Sequence, residues 1–233
     1  MKNTFDYGTY SYEYYVEFGE RKSLSLIVRP DLRIIVRAPK DATLSEIELF
    51  LTKKWRWLDK RLAEFKKYYK KSYQRQYVAG ESHYYLGRQY MLLVDKYTND
   101  MVKLERGKLR IYTTKSETNS EYNKQLLEGW FERRRNVIFK QEYIRALNLF
   151  DYEKMPQLRA RSMSKRWGSY TADNKVSLNP KLIQAPREAI FYVCIHELCH
   201  VTNKKHDEAF YKEVEKRMPN WREVKELLEI RFG

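Results

Sequence analysis

The chain has 233 residues, of which 42% are hydrophobic, so it can fold around an ordinary buried core as one large domain or two small ones. It has no run of eighteen or more apolar residues and no apolar segment of a secretory signal near its start, so we expect a soluble, cytoplasmic protein without a membrane partner. Lysine and arginine exceed the acidic residues by 46 − 31 = 15, a charge that attracts polyanions or acidic substrates without identifying them.

Period-two alternation of apolar and polar residues predicts antiparallel strands in the first forty residues. A helix is expected next, because Thr43 and Glu46 have the spacing of a capping box. An apolar stripe follows on this helix, which we interpret as core packing: Ile47, Leu51, Trp55, Leu58, Leu62 and Phe65. From Tyr77 to Thr113 the strand pattern returns, with turns at Gly87-Arg88 and around Gly107.

A polar, turn-prone segment at 115–119 precedes a second long helix, which places a domain boundary near residue 118. Leu158–Met163 and Lys175–Leu178 flank another turn and are expected to form a hairpin. Pro186 then starts a helix over 187–202 that is apolar on much of its circumference and therefore buried. The prediction is an α+β fold, with an antiparallel β-rich domain with one long helix at 1–118 and a second domain at 119–233.

The two cysteines of the chain, Cys194 and Cys199, fall on this last helix. They are five residues apart, so their side chains point in different directions and cannot easily form a disulfide. We interpret both as buried apolar side chains, which fits a reducing compartment.

Three of the four histidines of the chain lie within eleven residues, at His196, His200 and His206, and Glu197 follows the first of them. Positions four apart share one face of a helix, so His196 and His200 can both reach one zinc ion at about 2.0–2.1 Å. A catalytic zinc takes three protein ligands and leaves one position for water, and His206 is the candidate third ligand. Glu197 is then the candidate general base, and the sequence predicts a zinc-dependent hydrolase.

His206 can reach the metal only if the chain turns back after His200. Asn203 is the residue expected to end the helix, because asparagine tolerates the left-handed conformation. Metzincins have the same interval between ligands with glycine at that turn, so Asn203 is a departure from their pattern. Asp207 or Glu208 could orient a ligand imidazole through its second nitrogen.

The sequence also resembles the YgjP-like family of metal-dependent hydrolases, which is related to the WLM and SprT-like metalloproteases. The resemblance covers nearly the whole chain and is carried by these stretches: Arg21–Leu26, Arg33–Pro39, Tyr85–Arg88, Ser164, Arg166–Ser169, Ser177–Asn179, His196–His200, His206 and Phe210. It implies a β-rich half followed by a minimal zincin-like catalytic half, with zinc on the three histidines and Glu197 as base. Family members commonly have Cys and Trp where this sequence has Tyr170 and Tyr211.

A peptide or protein is the favoured substrate, mainly because of this resemblance. Arg166, Tyr170 and Tyr211 are candidate contacts to the substrate or to a developing oxyanion, because they are near the motif in sequence. By analogy with zincins, the hairpin from Arg166 to Asn179 is expected to present an edge strand at the rim of the cleft.

Two other functions stay open at this stage. One is a zinc hydrolase of a phosphorylated or nucleotide substrate, and the other is a nucleic-acid-binding protein with a vestigial metal site, which the intact ligands disfavour. An open edge strand favours peptides, whereas several Arg or Lys side chains converging on the metal favour phosphate.

Overall fold

The computed structural model of the chain describes residues 2–29, 31–68, 75–164 and 166–232. The strands are β1 (Lys2–Tyr7), β2 (Tyr10–Gly19), β3 (Ser25–Val28), β4 (Ile34–Pro39), β5 (Ser82–Tyr85), β6 (Arg88–Lys96), β7 (Met101–Glu105), β8 (Lys108–Thr113), β9 (Gln157–Ala160), β10 (Gly168–Thr171) and β11 (Lys175–Leu178). The α-helices are α1 (Leu44–Tyr68), α2 (Ser120–Leu147), α3 (Arg187–Cys199), α4 (Glu208–Arg217) and α5 (Trp221–Phe232). This mixture confirms the α+β class. None of the helices in the described part of the chain has an apolar stretch long enough to cross a bilayer.

The chain folds into two compact units. The first comprises Met1–Ser72 and Glu229–Gly233, and the second comprises Tyr73–Leu228. The expected division into 1–118 and 119–233 does not coincide with this boundary and stays a prediction about functional domains. All four histidines belong to the second unit.

The first unit is a four-stranded sheet, in the order β1-β2-β4-β3, with α1 packed against it. The sheet is mixed rather than antiparallel as expected, because β2 and β4 pair in parallel while the other two pairs are antiparallel. The capping box is present at the start of α1, where Glu46 accepts from the Thr43 N–H at 2.8 Å and Thr43 accepts from the Glu46 N–H. The apolar stripe of α1 lies in the core, with Trp55 only partly buried.

The second unit contains another mixed sheet, in the order β5-β6-β8-β7. Leu86 and Gly87 form the two-residue turn between β5 and β6. Their φ angles are 47° and 83°, and a type I′ hairpin turn requires positive φ at both residues. A Cβ at Gly87 would lie 2.6 Å from Cγ of Pro186, so a side chain does not fit there. In this turn the Leu86 N–H donates a hydrogen bond to the carbonyl of Ile183, which belongs to the 3-10 helix Pro180–Gln184. This hairpin therefore braces the segment that leads into α3.

A third sheet, in the order β10-β11-β9, packs against α3. The hairpin is formed by β10 and β11, with Asn174 at φ 57° in its turn. The segment Leu158–Met163 was expected to form that hairpin, but its strand β9 pairs in parallel with β11 instead. Residues 161–174, which include β10, connect β9 to β11 and are long enough for the crossover that a parallel pair requires.

Helices α2 and α3 pack together, and a buried glutamate of α2 pairs there with two half-exposed arginines. Glu142 of α2 is 3% exposed and accepts from Arg187 at 2.6 Å and from Arg145 at 3.3 Å. Helix α3 starts after Pro186 as expected, but it ends at Cys199 rather than at residue 202. Cys194 and Cys199 are both free and buried, as interpreted from the sequence.

Candidate metal centre

The three histidines of the motif converge on one point. The Nε2 atom of His206 lies 2.9 Å from Nε2 of His196 and 3.0 Å from Nε2 of His200. One ligand atom from each ring lies within 4.8 Å of the other two. The chain achieves this because His196 in α3 and His200, the C-cap residue of α3, lie one turn apart on one face, and the loop before α4 returns the third ring.

The turn after His200 is made differently from the expectation. Asn203 does not adopt the left-handed conformation, because its φ is not positive, and the helix has already ended four residues before it. Its carbonyl oxygen lies 2.9 Å from Nδ1 of His200 and accepts the hydrogen bond of that nitrogen. This bond places the ring proton on Nδ1 and leaves the lone pair of Nε2 directed at the other histidines.

Neither Asp207 nor Glu208, which the sequence suggested as partners of a ligand imidazole, has that role. Asp207 instead caps α4, since its side chain accepts from the Phe210 N–H at 3.0 Å. Glu208 pairs with Lys212 at 2.9 Å on the exposed face of α4. The main-chain carbonyl of Asn203, and not a carboxylate, accepts the hydrogen bond from the second ring nitrogen of His200.

The surroundings of His196 and His206 favour the neutral form of both rings. Burial, with the neighbouring His200 and His206, lowers the pKa of His196 to about 3, and burial also lowers the pKa of His206. The buried Nδ1 of His196 has no hydrogen-bond partner in the described part of the chain. The ring of Phe210 packs beneath all three imidazoles, with centroid distances of 4.6–4.9 Å.

This donor set suits a divalent cation such as zinc. Three neutral imidazoles offer lone pairs that repel one another unless positive charge lies between them. Tetrahedral zinc holds its ligand nitrogens about 3.4 Å apart, so the two short nitrogen pairs need to separate by only a few tenths of an ångström. The residues present therefore fit the metal that the sequence predicts.

Glu197 is the carboxylate nearest to this cluster along α3, and it is 6% exposed. Burial raises its pKa to about 7, against the opposing effects of a hydrogen bond from the Tyr170 backbone N–H and of the charge on Arg166. A carboxylate removed from bulk water and held by strand β10 is suited to proton transfer.

Gly168 packs directly against Glu197. A Cβ at Gly168 would lie 2.6 Å from Oε1 and 2.7 Å from Cγ of Glu197, and 2.8 Å from Cγ1 of Val193. Gly168 belongs to β10, and its contact with Glu197 is not evident from the sequence. The Trp167-Gly168-Ser169 stretch was the available signal, but its meaning depends on a contact that only the tertiary fold shows.

The three candidate substrate contacts lie in different settings. Arg166 is exposed and close enough to Glu197 to lower its pKa. The hydroxyl of Tyr170 donates to Asn174 at 3.1 Å, so its main chain and not its side chain faces Glu197. The ring of Tyr211 stacks on Trp221 at 4.9 Å and lies 6.2 Å from that of His206. Their roles in substrate contact stay predictions.

Asn179 belongs to the Ser177–Asn179 stretch of the family resemblance, but the sequence alone does not show what it contacts. It is 3% exposed, and its side-chain nitrogen donates to the carbonyls of Met163 and Arg166 at 2.7 and 2.9 Å. Its main-chain N–H donates to the carbonyl of Trp167 at 2.8 Å. One buried amide thus ties the loop that carries Arg166 to the end of β11.

The second unit therefore combines a mixed α+β fold with a three-histidine cluster and a buried glutamate on one helix, the arrangement of a metal-dependent hydrolase. The chain belongs to the YgjP-like family of metallopeptidase domains, whose sequence pattern it matches over residues 22–231. This confirms the resemblance found from the motifs. Membership implies a metal ion but does not identify it.

Two solved structures are similar to part of the chain. One is the metallopeptidase zymogen of Pyrococcus abyssi abylysin, at 23% identity and a TM-score of 0.36, over 39% of this chain and 90% of that one. The other is the metallopeptidase zymogen of Methanocaldococcus jannaschii jannalysin, at 19% identity and a TM-score of 0.35, over 39% of this chain and 86% of that one. No curated protein matches the chain.

Proposed function

We propose that this protein is a zinc-dependent metallopeptidase in which His196, His200 and His206 hold the metal and Glu197 is the general base. The observation that carries the proposal is the convergence of the three imidazoles, with the buried Glu197 directly following the first of them on α3. Membership of a metallopeptidase family supports it independently.

A zinc ion held there would supply a Lewis acid that polarises a carbonyl and lowers the pKa of water. Glu197 takes the proton of the attacking water on a carboxylate oxygen and returns it to the leaving amine. Gly168 and the Tyr170 N–H fix the position of this carboxylate. The Asn203 carbonyl holds His200 in the tautomer that leaves Nε2 unprotonated.

A peptide substrate is supported by the open edge of strand β10. Among the described residues, β10 pairs with β11 alone. The carbonyl of Trp167 accepts from Asn179, so by the two-residue period of a strand the main-chain groups of Gly168 and Tyr170 face the other way. The Tyr170 N–H is taken by Glu197, and an extended peptide can pair with the remaining outward-facing groups, those of Gly168 and the Tyr170 carbonyl.

The test is to replace Glu197 with Gln and measure bound zinc by elemental analysis together with hydrolysis of a mixed peptide library. We expect zinc to be retained and turnover to fall at least about a hundredfold, because the general base is lost. Glu208→Gln is the matched control, since Glu208 is an exposed carboxylate on α4 and its loss should leave turnover unchanged. Unchanged turnover in Glu197→Gln would eliminate the proposed base.

His206→Ala tests the third ligand by the same elemental analysis. Loss of one of three ligands should lower bound zinc per chain, and full retention would show that the cage is completed elsewhere. Nucleotides and phosphorylated compounds belong in the same screen, because Arg166 and the basic charge of the chain leave a phosphate-containing substrate as the competing function. Hydrolysis confined to those compounds, and sensitive to Glu197→Gln, would replace the peptidase proposal.

A further inference from the structure

A groove of about 480 Å³ lies between helix α2 and strand β9, away from the histidine cluster. Strand β9 is the edge of the third sheet opposite to β10, so roughly 10 Å separates the two edges across β11. The proposed function assigns no role to this groove.

Strand β9 offers unpaired main-chain groups to the groove. Its Gln157 N–H donates to the carbonyl of Asn174, and the Arg161 N–H just beyond it donates to that of Leu178, both at 2.9 Å. The groups of the odd-numbered residues therefore face β11, and those of Leu158 and Ala160 face outward. Within the described residues, β9 pairs with β11 alone, so this edge is open to another strand.

The opposite wall of the groove is apolar at its base. Phe139 and Tyr143 of α2 are buried, and the Tyr143 hydroxyl donates to the carbonyl of Pro156, just before β9, at 2.6 Å. Ile144 also lines the groove and is 45% exposed. Such a base accommodates the alternate side chains of an added strand.

The rim of the groove is positively charged. Arg135, Lys140 and Arg159 line it, and no acidic side chain does so in the part of the chain that the structure describes. Arg159 donates to the Ser177 hydroxyl at 2.7 Å, whereas Arg135 and Lys140 form no ion pair with a described residue. Two cations without counter-charges beside an open strand edge are complementary to a carboxylate-bearing extended chain.

We propose that this groove binds an extended acidic peptide segment by strand addition to β9. The main-chain groups of Leu158 and Ala160 pair with the segment, and Arg135 and Lys140 contact its carboxylates. β9 has four residues, roughly 13 Å, so a short segment fills it. Binding does not depend on hydrolysis, but use of the groove to recruit protein substrates rests on the proposed peptidase function.

The test is fluorescence anisotropy at physiological ionic strength, with a short fluorescein-labelled peptide of alternating threonine and glutamate as probe. The full chain carries Glu197→Gln so that the probe stays intact. Arg135→Glu and Lys140→Glu should each weaken binding about fivefold, as expected of reversing a surface charge beside an anion. Arg133→Glu is the matched control, because Arg133 is an exposed arginine of the same helix outside the groove, and it should change affinity less than about twofold.

Ala160→Pro tests the strand edge separately. This substitution removes an outward-facing N–H and leaves the pairing of β9 with β11 intact. It should also lower the affinity for the probe at least about fivefold. Ala160→Val keeps that N–H and should bind the probe normally. If Ala160→Pro does not fold, as judged by circular dichroism, the two charge reversals still decide the outcome.

Three results would overturn the proposal: equal weakening by Arg133→Glu, equal binding of a threonine–glutamine peptide, or binding unaffected by any groove variant and displaced by single-stranded DNA. The last would indicate a general response to polyanions. The anisotropy experiment measures binding and not hydrolysis. A negative result for the groove therefore leaves the peptidase proposal untouched, since that proposal is decided by Glu197→Gln in the peptide-library assay.

Discussion

At the scale of single residues, the absence of a side chain at Gly168 is as important as any functional group. The contacts with Glu197 and Val193 leave no room for a methyl group, so Gly168→Ala must displace the carboxylate or the strand. We expect hydrolysis to fall at least about tenfold with bound zinc unchanged, because small misplacements of a reacting group are costly. Steady-state kinetics together with elemental analysis measures both quantities.

Gly129→Ala is the control for this substitution. Gly129 lies within α2, where a Cβ meets only Nη1 of Arg133 at 3.6 Å, so the same change fits there and should leave turnover unaffected. An active Gly168→Ala enzyme would show that the carboxylate does not need this contact.

His83 is the second residue whose setting makes a measurable prediction. Its side chain is fully buried and its Nδ1 lies 2.6 Å from Nη1 of Arg75. Burial, assisted by the positive Arg75 and opposed by Glu81, lowers the pKa of His83 to about 4. Between pH 6.5 and 4 the unfolded chain therefore binds a proton at this residue that the folded chain does not, and stability falls as the pH falls.

The stability advantage of wild type over His83→Gln should accordingly shrink by about 2 kcal/mol between pH 7 and pH 4.5. Urea unfolding of both proteins at each pH measures the difference. An advantage that does not change with pH would mean that His83 takes up its proton as readily in the folded protein as in the unfolded chain.

At the scale of elements, the start of α4 connects helix capping to the metal centre. Asp207 caps this helix directly after His206. Asp207→Ala should cost about 1 kcal/mol of stability and raise the Kd for zinc several-fold, because the segment that presents the third ligand loses its anchor. Asp207→Asn keeps the accepting oxygen and should restore both, as measured by chemical unfolding and zinc titration. Loss of zinc affinity in Asp207→Asn would instead indicate a need for the negative charge.

The elements themselves were predictable to different degrees. Three features follow from local sequence patterns: the capping box of α1, the start of α3 and the long helix α2. Each depends on hydrogen bonds between near neighbours or on the helical period of apolar side chains. The parallel pairing of β9 with β11 was missed because strand periodicity says which face is buried but not which strand is the neighbour. The end of α3 at Cys199 was missed because no glycine or proline marks it.

At the scale of the whole molecule, metal binding and folding should be linked within one compact unit. All three proposed ligands lie in Tyr73–Leu228. Zinc at about one hundred times its Kd should stabilise this unit by about 2.7 kcal/mol. A chelator should therefore lower the unfolding temperature of this unit and leave that of the first unit unchanged, as measured by calorimetry. In His206→Ala the chelator should have a much smaller effect, and an equal effect would place the metal elsewhere.

The candidate site was predicted better than the tertiary context around it. The spacing of His196, His200 and His206 predicted that their rings converge, because the first two are one helical turn apart and the third follows closely along the chain. The partners of those residues were not predictable in the same way. Gly168 and Asn179 lie in motif stretches, but their contacts depend on distant packing, and the Asn203 carbonyl acts through the main chain, so the sequence does not show what any of them touches.

The bond from His200 to the carbonyl of Asn203 has a consequence for variation at position 203. Every amino acid brings the same carbonyl, and the backbone there does not need glycine. Genetic drift at this codon should therefore be tolerated as long as the loop keeps its path, and homologues that differ here can share the same imidazole tautomer. Laboratory evolution could vary this side chain without disturbing the ligand.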